Sequence, residues 1–279
     1  MTRPKRLGAL ASGVSIDDEA QALFLLGTGL LADSQQTEEA DVEGWEPHDL
    51  RFHWRSRGGY HEYEVGAYGR EAPPPEQPEP LTGIFRELPV AQVSSTGPLG
   101  DIFGSRKSQR TRSKEALDIA QIASLLSLTF GVRNGRRPYP SGGGRYEVEA
   151  YLSVFDCDGI SPGFYRYDSH EHRLEELSRD SEELACQLNQ ARWACAAKDG
   201  PRILITLGAR VRRLNTRYRG LCYALILKHV GVILQTLCLG STVLDFSVCP
   251  IGTGASASFP KLSGFPRLGV VPVGELGIW

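Results

Sequence analysis

The feature that most constrains this 279-residue chain is the run 221–239, LCYALILKHVGVILQTLCL, its longest apolar stretch. At helical rise such a run reaches about 28 Å, close to the thickness of a bilayer's hydrocarbon core. Lys228, His229 and Gln235 lie well inside it, and each would be costly at membrane depth. The run therefore predicts a soluble helix buried on nearly all sides, set between layers or between subunits, with chemistry at its ends. Its three polar interruptions are expected to be satisfied at the helix interface rather than to be catalytic. A basic and aromatic cluster, RLNTRYR at 213–219, leads into it.

The rest of the composition is that of an ordinary globular protein, 41% apolar and 23% charged. A formal net charge of -2 gives no basic field for nucleic acid or an anionic membrane surface, although basic residues cluster at 106–114 and 202–219. The six cysteines form no C-x-x-C pair and sit among apolar neighbours, so buried free thiols are expected. The opening MTRPKRLGALASG is basic but lacks the apolar core of a secretory signal, and a cytoplasmic location follows by elimination.

Residues 16–31 read as a short amphipathic helix, followed by an acidic gap at 33–43. The segment 45–66, WEPHDLRFHWRSRGGYHEYEVG, is dense in aromatics, histidine and arginine. His48, His53 and His61 do not share one helix face and have no cysteine near them, which argues against a metal site and for packing or an interaction surface. The proline-rich APPPEQPEP at 72–80 marks a linker, so the chain divides into a region 1–80 and a main domain 81–279, whose first part, 81–104, reads as irregular.

The main domain alternates helices and strands without a regular βαβ rhythm, which favours an α+β layered fold. Ser113 is a candidate N-cap for a helix that buries Leu117, Ala120, Leu125 and Leu128 and stops at Gly131. Ahead of it, Arg106, Lys107, Ser108, Arg110 and Arg112 concentrate the donors that suit phosphate: guanidinium groups and a neutral hydroxyl. A solvated basic turn fits the same residues equally well. In RRPYPSGGGRYEVEAYLSVF, prolines stiffen the approach to Ser141 and three glycines, a place where backbone comes close to a flat ligand. Neither a Walker loop nor a dinucleotide fingerprint is present. Residues 146–155 alternate as a strand, 159–178 read as strand, turn and strand, 182–198 as a helix, and 203–210 as a strand. A glycine-rich turn and the apolar GVVPVG close the chain.

The order of RPYPSGG, YEVEAY, DGISPGFYRYDSHEHRLE, RYRGLCYALILKHVGVILQT and a final glycine turn resembles the SagB-type dehydrogenases, a branch of the FMN-dependent nitroreductase superfamily. WEPHDLRFHWRSRGG resembles the segment that precedes the flavin domain in one group of them, so the likeness runs from about residue 20 to the end. The resemblance implies a layered domain with a central antiparallel sheet and a homodimer with the long helix of each subunit at its interface. Two FMN sites would lie between the subunits. The implied reaction oxidises thiazoline or oxazoline rings to thiazole or oxazole in a ribosomally made precursor peptide. A cyclodehydratase would act before it, and oxygen would reoxidise the flavin.

Position by position, the resemblance assigns Arg106, Ser108 and Arg110 to the FMN phosphate. It places Pro140, Ser141, Gly142 and Gly143 against the flavin ring, and Gly252 and Thr253 in the turn over the other ring face. The family's catalytic lysine-tyrosine pair reads Arg217-Tyr218 here. Aromatisation removes a proton from carbon while hydride leaves for the flavin. Arginine supplies charge but takes no proton at working pH, which leaves Tyr218 as the candidate base. Two other functions fit the same superfamily pattern: a general NAD(P)H-dependent flavin nitroreductase, or a catalytically weak scaffold subunit of a peptide-modifying complex.

Overall fold

Strands β1 (Val148–Val154) and β4 (Ile203–Ala209) are buried at every residue, and so is β6 (Val271–Ile278), the last strand in the chain. Strands this uniformly buried must be covered on both faces. They are the middle of a six-stranded antiparallel sheet that also contains β2 (Gly163–Asp168), β3 (Arg173–Ser178) and β5 (Val248–Ile251), in the order β3-β2-β1-β4-β6-β5. Register places Leu152 opposite Ile205, and Ile205 opposite Leu276. This computed structural model describes residues 45–57, 98–218, 221–254 and 257–279. The expected helix at 16–31, the acidic gap, His61 and the proline-rich linker lie outside the described residues.

One face of the sheet carries the main core, in which Val148, Leu152, Ile203, Ile205, Leu207 and Leu276 meet two long helices. The helices of this part of the chain are α1 (Pro47–Ser56), α2 (Pro98–Ser105), α3 (Ile119–Phe130), α4 (Ser181–Ala194), α5 (Val211–Asn215), α6 (Cys222–Val243) and α7 (Ser258–Ser263). Helices α3 and α6 cover the main core, while α4 and α7 bring Leu184, Phe259 and Leu262 onto Tyr151, Phe164 and Val270 on the opposite face. The layered α+β architecture with a central antiparallel sheet is as expected.

Helix α6 corrects one expectation. It is long and apolar enough to cross a membrane by length and composition, and Ile226, Val230, Ile233 and Leu237 pack into the core. Leu221, Val232 and Val243 stay exposed, so within one chain the helix is covered on one side rather than nearly all round. At its crossing with α3 a Cβ on Gly240 would sit 2.7 Å from Thr129 Cγ2, so only glycine allows so close an approach. The predicted start of α3 also moves. Asp118, not Ser113, is its N-cap: Asp118 Oδ1 accepts from the Gln121 amide at 2.8 Å and Gln121 Oε1 accepts from the Asp118 amide at 3.0 Å. The chain is held out of helix until then, because Leu117 O accepts from Asp158 N at 2.8 Å and Asp158 O accepts from Ile119 N at 3.0 Å. The buried face is Ile122, Leu125, Leu126 and Phe130; Ala120 is exposed and Leu128 half-buried. Gly131 ends the helix as expected. Residues 98–105, read as irregular, form α2, with Pro98 at a first-turn position that needs no N–H partner.

The segment 45–57 belongs to the main core. Trp45 and Leu50 are buried in it, and Tyr223 of α6 bonds His53 Nδ1 at 2.7 Å. Burial, and then the nearby charge of Arg57, lower the His53 imidazole to about 3, so the ring is neutral. His48 lies exposed beside Asp49 at 3.5 Å. Arg57 reaches further, into a buried ion pair with Glu275 of β6. At the sheet's edges, β3 is largely exposed and charged, with Arg173, Glu175 and Glu176. β5 is short, contains Pro250, and has its Val248 carbonyl taken by the Gln109 amide at 2.8 Å.

Candidate functional site

Leu214, fully buried at the end of α5, fixes the start of the site. Its carbonyl accepts from the amides of both Arg217 and Tyr218, at 3.1 and 3.2 Å, which folds the pair back toward the chain that precedes β1. There the glycines of 141–144 form a single tight turn, with Gly143 at φ 60°. A Cβ on Gly143 would lie 3.2 Å from both Arg217 Nη1 and Tyr218 Oη, and one on Gly142 would lie 3.3 Å from the Tyr218 ring. The glycines are thus required twice at 143, for the left-handed backbone and for the closeness of the pair. Arg217 is exposed, Tyr218 half-buried, and the guanidinium stands 5.7 Å from the phenol ring's centre. Pro140 is exposed at the entrance to the turn.

Behind the turn lies a polar network. Ser141 Oγ donates to Glu147 Oε2 at 3.0 Å and accepts from the Tyr146 amide at 2.9 Å. Glu147 Oε1 lies 2.6 Å from His229 Nδ1, and the other ring nitrogen of His229 accepts from the Gly142 amide at 3.0 Å. Glu147 is 1% exposed. His229 is satisfied, as the sequence suggests, yet it sits inside the site, and Glu147 was not singled out at all. The strand reading of 146–155 put Glu147 and Glu149 on one face. In the structure Tyr146 has a left-handed φ of 47°, β1 begins at Val148, and Glu149 pairs instead with Arg210 and Arg166.

The predicted phosphate residues gather against β5. The Gln109 bond to Val248 lays 108–110 beside Cys249, whose thiol donates to Pro250 O at 3.2 Å and has Cys195, Arg110 and Ser108 as polar neighbours. The Cys195 thiol first, and then Arg110, hold the Cys249 thiol below its usual value, against the effect of burial. Arg106 lies near Cys238, another buried thiol, which burial pushes up. All six cysteines are free, four of them buried. Ser108 and Arg110 are exposed and Arg106 half-buried. Two guanidinium groups and a hydroxyl at the surface are a donor set that fits a phosphate monoester.

Gly252 and Thr253 follow β5 directly. Gly252 is exposed, and Thr253 lines a small cleft with Gln187, Thr206, Gly254 and Glu275. Arg57 lies against Gly254. Burial pushes the Glu275 carboxyl up, and the Arg57 charge opposes it. The predicted residues therefore form three groups: the 140–143 turn with Arg217 and Tyr218, the 106–110 segment beside Val248 and Cys249, and Gly252 and Thr253 near the Arg57–Glu275 pair. Among the described residues, no hydrogen bond or ion pair joins any of these groups to another.

Comparisons with known proteins bear on the fold and the family. A protein of Methanocaldococcus jannaschii, described as a nitroreductase on prediction, is 24% identical over 184 residues, 63% of this chain and 90% of its own. Among solved structures, a chain of the E. coli microcin synthetase McbBCD complex with truncated pro-MccB17 bound superposes with a TM-score of 0.65 at 19% identity. That match covers 88% of this chain and 98% of the other. A Ralstonia eutropha nitroreductase-like structure gives 0.53 at 18% identity, over 72% and 96% of the two chains. The profile of the Nitroreductase family matches residues 104–275, well over half of the sequence, and the chain belongs to that family.

Proposed function

We propose that this protein is an FMN-dependent dehydrogenase that oxidises thiazoline or oxazoline rings to thiazole or oxazole in a ribosomally made peptide. Family membership supports a flavin oxidoreductase. The observation that carries the finer reading is the packing of Arg217 and Tyr218 on the Gly142–Gly143 turn, which puts a phenol and a fixed positive charge where the resemblance places the ring of the flavin. The likeness in fold to a chain of a peptide-modifying synthetase agrees with it.

Arg106, Ser108 and Arg110 would hold the phosphate, and the 140–143 turn would lie on the ring. Bound there, FMN supplies a two-electron acceptor for the hydride that leaves the azoline. Tyr218 takes the proton from the neighbouring carbon, and Arg217 stabilises the phenolate that makes it a base without itself exchanging a proton. The separation of these groups of residues fits a site completed by a second copy. The open side of α6, with Val232 and Val243, and the exposed Leu99 and Phe103 of α2 are the surfaces such a homodimer would cover. Residues 1–80 would present the peptide or dock a cyclodehydratase, anchored to the main domain through α1.

The test is direct. The purified protein should be yellow with FMN in a near-stoichiometric amount, and should remove two hydrogens per ring from an azoline peptide by mass spectrometry. A colourless protein that takes up no FMN would sink the reading. Rapid bleaching by NADPH without azoline turnover would replace it with a general nitroreductase.

A further inference from the structure

We infer that His229 and Glu147 are a positioning pair that anchors the Gly142–Gly143 turn by holding one tautomer of the histidine. The inference rests on the proposed reaction for its kinetic consequence but not for its geometry. Gly142 N–H points at His229 Nε2 at 3.0 Å, and an amide can donate only to a ring nitrogen that carries no proton. The proton of the neutral ring is therefore on Nδ1, where Glu147 Oε1 accepts it at 2.6 Å. Glu147 is itself fixed by the Ser141 hydroxyl at 3.0 Å, and Ser141 receives the Tyr146 amide, so both ends of the turn are tied to one buried carboxylate.

The pair acts on the site through contact rather than through proton transfer. Gly142 lies between the Tyr218 ring and His229: a Cβ there would meet Tyr218 Cε2 at 3.3 Å and His229 Cε1 at 3.4 Å. Gly143, the next residue, faces Tyr218 Oη and Arg217 Nη1. Releasing the Gly142 amide frees the surface on which the phenol rests. Without the Nδ1–H bond to Glu147 the ring is free to rotate, and the Gly142 amide loses its acceptor. The titratable and charged groups around the network are Glu147 and Tyr139 on the chain before β1, Tyr218 and Arg217 after α5, and Cys222 and the exposed Lys228 on α6. Of these, only Glu147 makes a hydrogen bond with the imidazole. Misplacing a reacting group by an ångström costs on the order of a hundredfold in rate, so a loosened turn should be read in kcat.

The experiment uses the full-length holoprotein and two readouts. Nitrogen-edited NMR of the imidazole rings, with His229 assigned through its loss in His229→Gln, should show a neutral ring protonated on Nδ1. A cationic ring, or the other tautomer, overturns the inference whether or not the protein is active. In azoline oxidation, Glu147→Leu should keep FMN and KM while kcat falls at least about tenfold, and Glu147→Gln, which preserves an acceptor for Nδ1–H, should recover most of it. His229→Gln can present a carbonyl oxygen to the Gly142 amide and an N–H to Glu147, so it should keep more of kcat than His229→Leu, which can do neither. Equal damage by both Glu147 variants, or by both His229 variants, would reduce the pair to a structural role. If the wild type oxidises no azoline, the proposed function fails alone, and the NMR result still decides the anchor.

Discussion

Tyr218 and Gly143 carry the sharpest tests at the scale of single residues. Tyr218→Phe keeps the ring that packs on Gly142 and deletes only the hydroxyl, so flavin content should hold while azoline oxidation falls about a hundredfold or more. An unchanged rate would remove Tyr218 from the chemistry. Gly143→Ala asks a different question. Its φ of 60° costs an alanine about 1 kcal/mol, and the new methyl meets Arg217 and Tyr218 at 3.2 Å. A small drop in melting temperature and a much larger drop in kcat are expected; losses in proportion would mean the turn is structural only. Arg217 and Tyr218, and the glycines they touch, were nameable from the sequence because each is a short local motif that carries the resemblance. Glu147 and His229 were not, since their partnership spans 82 positions and depends on the left-handed Tyr146 that breaks the strand's alternation.

Among the elements, α3 and α6 show what periodicity conveys and what it omits. The existence of both helices followed from apolar spacing, and Gly131 marked a true stop. The start of α3 escaped because Ser113 and Asp118 are both good caps; the backbone bonds between 117–119 and Asp158 decide between them. Asp118→Ala should therefore lower stability by about 1 kcal/mol in thermal unfolding, whereas Ser113→Ala, whose hydroxyl only accepts from the Glu115 amide nearby, should cost much less. For α6 the spacing correctly demanded burial but could not say whether one chain supplies it. Val232, 38% exposed within the chain, tests this: Val232→Glu should shift sedimentation from the proposed dimer to monomer while the fold persists. A variant that sediments like the wild type would place the interface elsewhere.

Across the whole molecule, the segment 45–57 and the last strand are one structural unit through Arg57 and Glu275. Removing a partner from a buried ion pair typically costs about 3–5 kcal/mol, and Arg57→Met should approach that. The sign of its pH dependence follows from Glu275, whose folded carboxyl is already raised by burial and would be raised further without Arg57. A carboxyl with a raised folded value is favoured by folding when protonated. The deficit of Arg57→Met should thus be small in acid and grow as pH rises through and above the ordinary carboxyl range. Melting curves from pH 4 to about 8 measure it, and a deficit independent of pH would refute the account. Nothing in the sequence paired these residues, which lie 218 positions apart.

The edges of the sheet carry a separate consequence. β5 offers few residues, one of them Pro250, which has no N–H, and its Val248 carbonyl is already taken; β3 ends the other side with exposed charges. Among the described residues, neither rim is an inviting template for a guest strand. Under the function proposed above, a peptide substrate would then be recognised without a strand register on the sheet. Its successive rings should be oxidised in the order in which they are accessible, and a fixed order that survives moving the rings along the peptide would refute this.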